Sequence, residues 1–86
     1  MKSVARRFVG IDLHLGVTQV CVLDEQGKVL REQRLPTGDP ETNHRLLSYL
    51  ARWRTGGRYA VEAIGFNRWL VNACLAAGLD VIVADP

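Results

Sequence analysis

An apolar run that ends in a carboxylate sets the strongest limit on the fold of this chain. Nearly every residue from 7 to 13 is apolar, which is typical of a central strand covered on both faces of a sheet. Asp12 lies near the carboxyl end of that run, where a carboxylate is costly unless it is solvated, hydrogen-bonded or bound to a cation. Because ligands collect at the carboxyl ends of central strands in open α/β sheets, Asp12 is the first candidate site residue.

The rest of the chain alternates between strand and helix patterns in the order βββαβαβ. Asp39 is a good N-cap for the first helix, and Pro40 suits its first position. Gly78 is the residue type that commonly follows the last turn of a helix and is expected to end the second helix. The charges of the third strand predict that it lies at a sheet edge. The predicted strands cover residues 7–13, 17–23, 28–35, 58–62 and 81–84, and the predicted helices begin near residues 40 and 67.

This order predicts a mixed α/β sheet with helices packed on it. The first three strands form an antiparallel meander, and helical crossovers return the last two strands parallel to the first. The second helix is apolar around most of its circumference, so we expect it to be largely buried. The sequence stops after a strand, where a complete domain of this type carries another helix. We therefore expect residues 7–86 to form an incomplete domain. The basic residues 1–6 before it are expected to be a leader.

Composition limits the classes of function without selecting one. The formal net charge of +2 permits a nucleic-acid partner but is too small to imply one. Cys21 and Cys74 lie in apolar runs without metal-ligand spacing, so we expect reduced core thiols in a cytoplasmic protein. No apolar stretch approaches the roughly 20 residues that a bilayer-spanning helix needs, and we expect no membrane partner.

Two carboxylates, Asp12 and Glu62, end strands that the predicted topology makes parallel. If those strands are neighbours, both side chains project over the same end of the sheet. Paired carboxylates suit Mg²⁺ or Mn²⁺, and two such ions can support phosphodiester cleavage. Spacing alone leaves a structural alternative open, in which Asp12 caps a turn and Glu62 is merely exposed.

Other polar residues are weaker candidates. His14 could approach a metal ion or a phosphate, and Asp85 could face the same end of the sheet. The arginines lie on separate elements, which is more typical of surface charge than of a phosphate site. Those that could contact phosphates are Arg6, Arg7, Arg52, Arg54, Arg58 and Arg68.

Three segments resemble the N-terminal region of IS110-family transposases. They cover residues 9–14 with the β-run to Asp24, residues 61–65, and residues 77–86. The second segment resembles the family's Glu-Ala-Thr-Gly stretch, and the third resembles its Ala-Gly, strand, Asn-Pro ending. The resemblance covers essentially the whole chain from Phe8 onward.

The resemblance implies a RuvC-like, ribonuclease H-like fold with an Asp-Glu-Asp-Asp metal site that acts on DNA. By motif match, Asp12 is the first acid and Glu62 the second, as catalytic residues and as ligands of Mg²⁺ or Mn²⁺. The last two acids belong to a later helical segment, and a nucleophilic serine belongs to a second domain, so the present piece is expected to be inactive alone. DNA and an element-encoded guide RNA are the implied partners, with His14 and Arg68 as candidate nucleic-acid contacts.

Two alternatives remain open. Actin-like and sugar-kinase ATPases share the βββαβαβ order and begin with a similar Gly-Ile-Asp strand. Their first hairpin binds ATP phosphates through a Gly-Thr or Gly-Ser pair, whereas this chain has His14, Leu15 and Gly16 there. The second alternative is a non-catalytic module. A missing terminal helix would expose an apolar sheet face, which favours a partner or a homo-oligomer.

Overall fold

The computed structural model describes residues 5–62 and 67–84. The turn at residues 63–65 and the candidate acid Asp85 lie outside the described residues, as does most of the leader at residues 1–6. The elements are β1 (Arg7–Asp12), β2 (Val17–Leu23), β3 (Val29–Pro36), α1 (Pro40–Leu50), a 3-10 turn (Ala51–Trp53), β4 (Gly57–Glu62), α2 (Arg68–Ala76) and β5 (Asp80–Ala84). The predicted order of elements is confirmed, and their ends shift by one or two residues at most.

All five strands form one mixed sheet in the order β3-β2-β1-β4-β5. β1 is antiparallel to β2 and parallel to β4, and β5 is parallel to β4. The predicted meander and the parallel return of the last two strands are therefore confirmed. β1 is the central strand, and the charged β3 lies at an edge, as predicted.

The hydrophobic core lies on one face of the sheet. Strand side chains alternate between faces, and those on the core face pack with both helices into a single cluster. On β1, Val9 and Ile11 are buried, whereas Phe8 on the other face is 42% exposed. The prediction that β1 is covered on both faces is therefore wrong for the described residues, because both helices pack on the same side. We call the other side the open face.

Local signals determine where the helices begin and end. The Asp39 side chain accepts a hydrogen bond from the backbone N–H of Thr42 at 2.8 Å, and Pro40 follows in the first turn. The hydrogen bond from the Thr42 backbone holds the pKa of the Asp39 carboxyl below its usual value. Gly78 takes a φ of 79° after α2, and the backbone N–H of Leu79 donates to the carbonyl of Cys74 at 2.9 Å. Both predicted ends are confirmed.

Helix α2 is less buried than its composition predicts. Leu70 and Cys74 are fully buried, but Leu75 is 58% exposed. The helix packs against the sheet with one side, and no other described element covers the outer side, so the prediction of a largely buried helix is wrong there. Neither helix in the described part of the chain is long and apolar enough to cross a membrane.

The two thiols occupy different environments. Both are free in the described structure. Cys74 belongs to the core, and burial raises its pKa to about 11. Cys21 pairs in register with Gly10 and lies partly exposed on the open face, so its predicted core position is wrong. The side-chain alternation along β2 decides this difference.

Candidate functional site

The two predicted carboxylates end neighbouring parallel strands. Ile11 of β1 pairs in register with Val61 of β4, so Asp12 and Glu62 are the next residues on each strand. Adjacent strands lie roughly 4.8 Å apart, so their backbones are separated by about one strand spacing. The structure thus brings the two acids together at the carboxyl end of the central pair, as the predicted topology required.

Both carboxylates lie on the open face. Ile11 and Val61 are buried on the core face, so alternation directs the residues that follow them to the other side. Asp12 and Glu62 line an open concavity of about 350 Å³. Four of the other lining residues are small: Gly10, Cys21, Ala60 and Ala84. The site is therefore accessible to a ligand from the open face.

A histidine contacts the first carboxylate. His14 Nε2 lies 3.0 Å from Asp12 Oδ1, and both side chains are more than half exposed. The turn that carries His14 is held by Thr37, whose hydroxyl donates to the His14 carbonyl at 2.8 Å and lies 3.1 Å from the Thr18 hydroxyl. Gly16 in the same turn does not adopt a positive φ. The imidazole is thus positioned to influence what binds Asp12.

Sequence reasoning missed one residue beside the second carboxylate. The Asn67 side chain donates from Nδ2 to the backbone carbonyl of Glu62 at 2.6 Å. Asparagine before a helix is a common N-cap, yet this side chain makes no capping hydrogen bond to α2. The only available signal was its position at the predicted helix start, and that signal indicates capping rather than a contact with a strand end.

The described donor set fits a divalent cation only in part. Mg²⁺ is commonly held by one or two carboxylates together with water, which Asp12 and Glu62 can provide. Among residues 5–62 and 67–84, no group of three or more His, Cys, Asp or Glu side chains is arranged to hold a metal ion. The two acids therefore suit a weakly held, largely hydrated ion and are too few for a rigid two-ion site.

The remaining candidates do not join this concavity. Arg68 is exposed at the start of α2 and is not among the residues that line it. Arg52 lies over the Tyr49 ring, 5.0 Å from its centre. Four other arginines, which the sequence places on separate elements, meet around a cavity at the opposite end of the strands: Arg6, Arg7, Arg54 and Arg58.

Solved structures share this fold at low sequence identity. A Bacteroides thetaiotaomicron protein with an actin-like ATPase fold and unknown function matches with a TM-score of 0.72 and 8% identity, over 93% of this chain and 33% of its own. A transcriptional regulator of the ROK family, a homolog of the E. coli MLC protein, matches with a TM-score of 0.61 and 15% identity, over 94% and 28%. The Aquifex aeolicus Ppx/GppA phosphatase matches with a TM-score of 0.55 and 14% identity, over 94% and 36%. The chain thus spans about a third of these structures, and the likeness shows the fold alone.

Sequence comparison identifies a family. A search of curated proteins found no match. The family model of the IS110-type DEDD transposases, described as a transposase, matches residues 9–86. That range includes Asp12, Glu62 and all three segments on which the resemblance depends. Because the match covers nearly the whole chain, this protein belongs to the IS110-type DEDD transposase family.

Proposed function

We propose that this chain supplies the first two acids of a divalent-metal site for DNA strand cleavage and transfer by a transposase. The observation that carries the proposal is the side-by-side placement of Asp12 and Glu62 at the ends of paired parallel strands. Membership of the DEDD family supports it, because an aspartate followed by a glutamate matches the first two acids of the family's tetrad in order and in kind.

We place these acids in a RuvC-like, ribonuclease H-like domain. The antiparallel β1–β3 meander, followed by the parallel β4 and β5, agrees with that fold. The same order occurs in actin-like ATPases, and the likeness to the Bacteroides protein agrees with this. Family membership favours the transposase interpretation over the ATPase interpretation.

The chain's own residues would bind and orient the reacting groups. Asp12 and Glu62 would offer carboxylate oxygens to Mg²⁺ or Mn²⁺, and their position on the open face leaves access for a phosphate of DNA. The bound ion would activate a nucleophile and stabilise the leaving oxygen. His14 lies close enough to Asp12 to contact the same phosphate, and Arg68 would contact DNA from the start of α2.

Two carboxylates cannot hold two ions rigidly, so these residues alone would be inactive. We infer that the later acids come from a helical segment and the serine nucleophile from a second domain, both outside this sequence. The open face, where Phe8 and Ile82 are 42% and 49% exposed, is a surface that such a segment or a second copy of the chain could cover. Residues 1–6 would be a leader and residues 7–86 the start of the domain. The protein would act in the cytoplasm. Its partners would be DNA, a guide RNA and further copies of the chain.

The ATPase alternative requires a different hairpin. In that class the β1–β2 turn must approach ATP phosphates closely, but here it contains His14 and Leu15, whose side chain is 72% exposed. A bulky leucine disfavours the close backbone approach that phosphate binding needs. The experiment below therefore also measures the effect of ATP on Tm.

Thermal unfolding in the presence of metal tests the proposal. A ligand that binds only the native state stabilises it by about 1.4 kcal/mol at ten times its Kd, which raises Tm by several degrees in a domain of this size. We expect millimolar Mn²⁺ to raise Tm, and Asp12→Asn or Glu62→Gln to abolish that rise. Glu32→Gln serves as a matched control, because it removes an exposed strand carboxylate two strands away from β1.

Three results would count against the proposal. Mn²⁺ could leave Tm unchanged, or its effect could survive in both Asp12→Asn and Glu62→Gln. A rise in Tm with ATP that needs Asp12 would instead favour the nucleotide-binding class.

A further inference from the structure

A second cavity lies at the opposite end of the sheet from the carboxylates. It measures about 520 Å³ and is open to solvent where β1, β4 and β5 begin. Its charged lining residues are Arg6, Arg7, Arg54, Arg58 and Asp80. We propose that this arginine cavity binds the phosphodiester backbone of a nucleic acid, as an anchoring site separate from the Asp12–Glu62 pair.

Tertiary structure assembles the arginines from three separate segments. Arg6 and Arg7 lie at the start of β1, Arg54 follows the 3-10 turn, and Arg58 is the second residue of β4. Parallel pairing of β1 with β4 aligns Arg7 with Gly57 and brings Arg58 opposite Phe8. The cavity therefore depends on the same strand pairing that places the two carboxylates.

The charge of the cavity favours an anionic ligand. Four arginines and one carboxylate line the cavity, and Glu25 beside it accepts a hydrogen bond from the Arg6 backbone N–H at 3.3 Å, so positive charge remains in excess. Arg58 Nε lies 3.3 Å from Asp80 Oδ2, and among the described residues it is the only one of the four arginines in an ion pair. Guanidinium groups bind phosphate oxygens in a planar, bidentate geometry. Clustered like charges repel one another until an anion neutralises them.

The position of the cavity favours a polymer over a single small anion. Asp12 is five residues after Arg7 along β1, which is roughly 16 Å at about 3.3 Å per residue. Phosphates along one strand of a duplex are about 3.4 Å apart along the axis. A nucleic acid held by the arginines therefore extends to the carboxylates within roughly five nucleotides. The choice of nucleic acid as the ligand rests on the proposed function, whereas the anion site rests on the cavity itself.

Binding of labelled oligonucleotides tests this proposal. Fluorescence anisotropy of single-stranded DNA, single-stranded RNA and duplex DNA would be measured with the 86-residue chain, without metal, between about 50 and 200 mM salt. The test variant Arg6→Gln/Arg54→Gln removes two exposed cavity charges. The control variant Arg31→Gln/Arg45→Gln removes two exposed arginines from β3 and α1, outside the cavity.

We expect the test variant to bind on the order of tenfold more weakly at low salt. Its slope of log affinity against log salt should fall by about 1.4 for single strands, because two phosphate contacts are lost. The control variant should keep most of the affinity and the slope. Binding of either DNA or RNA supports the proposal, and the preferred oligonucleotide identifies the source of the phosphates.

Independent readouts separate this proposal from the transposase site. Equal losses in the two double variants, or no binding of any oligonucleotide, would overturn the arginine cavity as an anchor. In that event a rise in Tm with Mn²⁺ would still support the function proposed for Asp12 and Glu62. If inorganic phosphate raises Tm through Arg6 and Arg54 but no oligonucleotide binds, the nucleic-acid assignment is wrong. If oligonucleotides bind through these arginines but Mn²⁺ has no effect on Tm, the metal-site proposal fails instead.

Discussion

His14 Nε2 lies 3.0 Å from Asp12 Oδ1, so one oxygen of the first candidate metal ligand already has a partner within the chain. A cation at Asp12 must displace the imidazole or bind through the other oxygen. Because both side chains are more than half exposed, the contact is worth at most about 1 kcal/mol.

We therefore expect His14→Ala to lower the free energy of unfolding without metal by at most about 1 kcal/mol and to increase Mn²⁺ affinity by up to about fivefold. The measurement is Tm as a function of Mn²⁺ concentration for the wild-type and variant chains. Loss of the Mn²⁺ effect in His14→Ala would contradict this expectation and would identify the imidazole as a ligand.

Gly57 allows β4 to pass close to the 3-10 turn. A Cβ added at Gly57 would lie 2.1 Å from the backbone carbonyl oxygen of Trp53. Gly57→Ala must therefore shift backbone, and we expect it to lower the free energy of unfolding by roughly 2 kcal/mol or more. Gly16→Ala is the matched control, because nothing lies within 4 Å of its added Cβ and its φ is not positive. Urea unfolding measures both; similar losses would refute the steric argument.

Removing the hydroxyl from each of two core tyrosines should affect stability differently. The Tyr59 hydroxyl donates to the backbone carbonyl of Leu50 at the end of α1. The Tyr49 hydroxyl is buried and has no hydrogen-bond partner among the described residues. We expect Tyr59→Phe to cost about 1 kcal/mol, because it removes a buried hydrogen bond, and Tyr49→Phe to be neutral or stabilising. Chemical denaturation measures the free energy of unfolding of both variants. A larger loss for Tyr49→Phe than for Tyr59→Phe would contradict this expectation.

Stability should fall in alkaline solution. Burial raises the pKa of the Cys74 thiol from 9.0 to about 11 and that of the Tyr59 hydroxyl from 10.0 to about 12. Between about pH 9 and 12 the native state therefore holds protons that the unfolded chain has lost, so the free energy of unfolding decreases as pH rises. Denaturant titrations across this range measure the slope. In Cys74→Ala the slope between pH 9 and 11 should become shallower, whatever the change in stability at neutral pH; an unchanged slope would exclude Cys74 as its source.

The sequence pattern alone predicted the strands and helices, the location of the candidate site and the family. The β-branched run of β2, the cap at Asp39 and the glycine at position 78 act through nearby residues, so their structural outcomes could be predicted. The placement of Asp12 and Glu62 at the same edge of the sheet could also be predicted, because helical crossovers return strands parallel and parallel strands end at the same edge. Family membership was recognisable from short motifs in the correct order.

Tertiary structure decided what depends on contacts between distant residues. Both helices pack on the same face of the sheet, so the two acids, Phe8 and Cys21 lie on the open face. No local pattern encodes which face the helices cover. The convergence of arginines from three segments likewise follows from strand register. Periodicity specifies which residues share a face of one element. Only the packing of elements against one another determines which face is covered and which side chains meet across it.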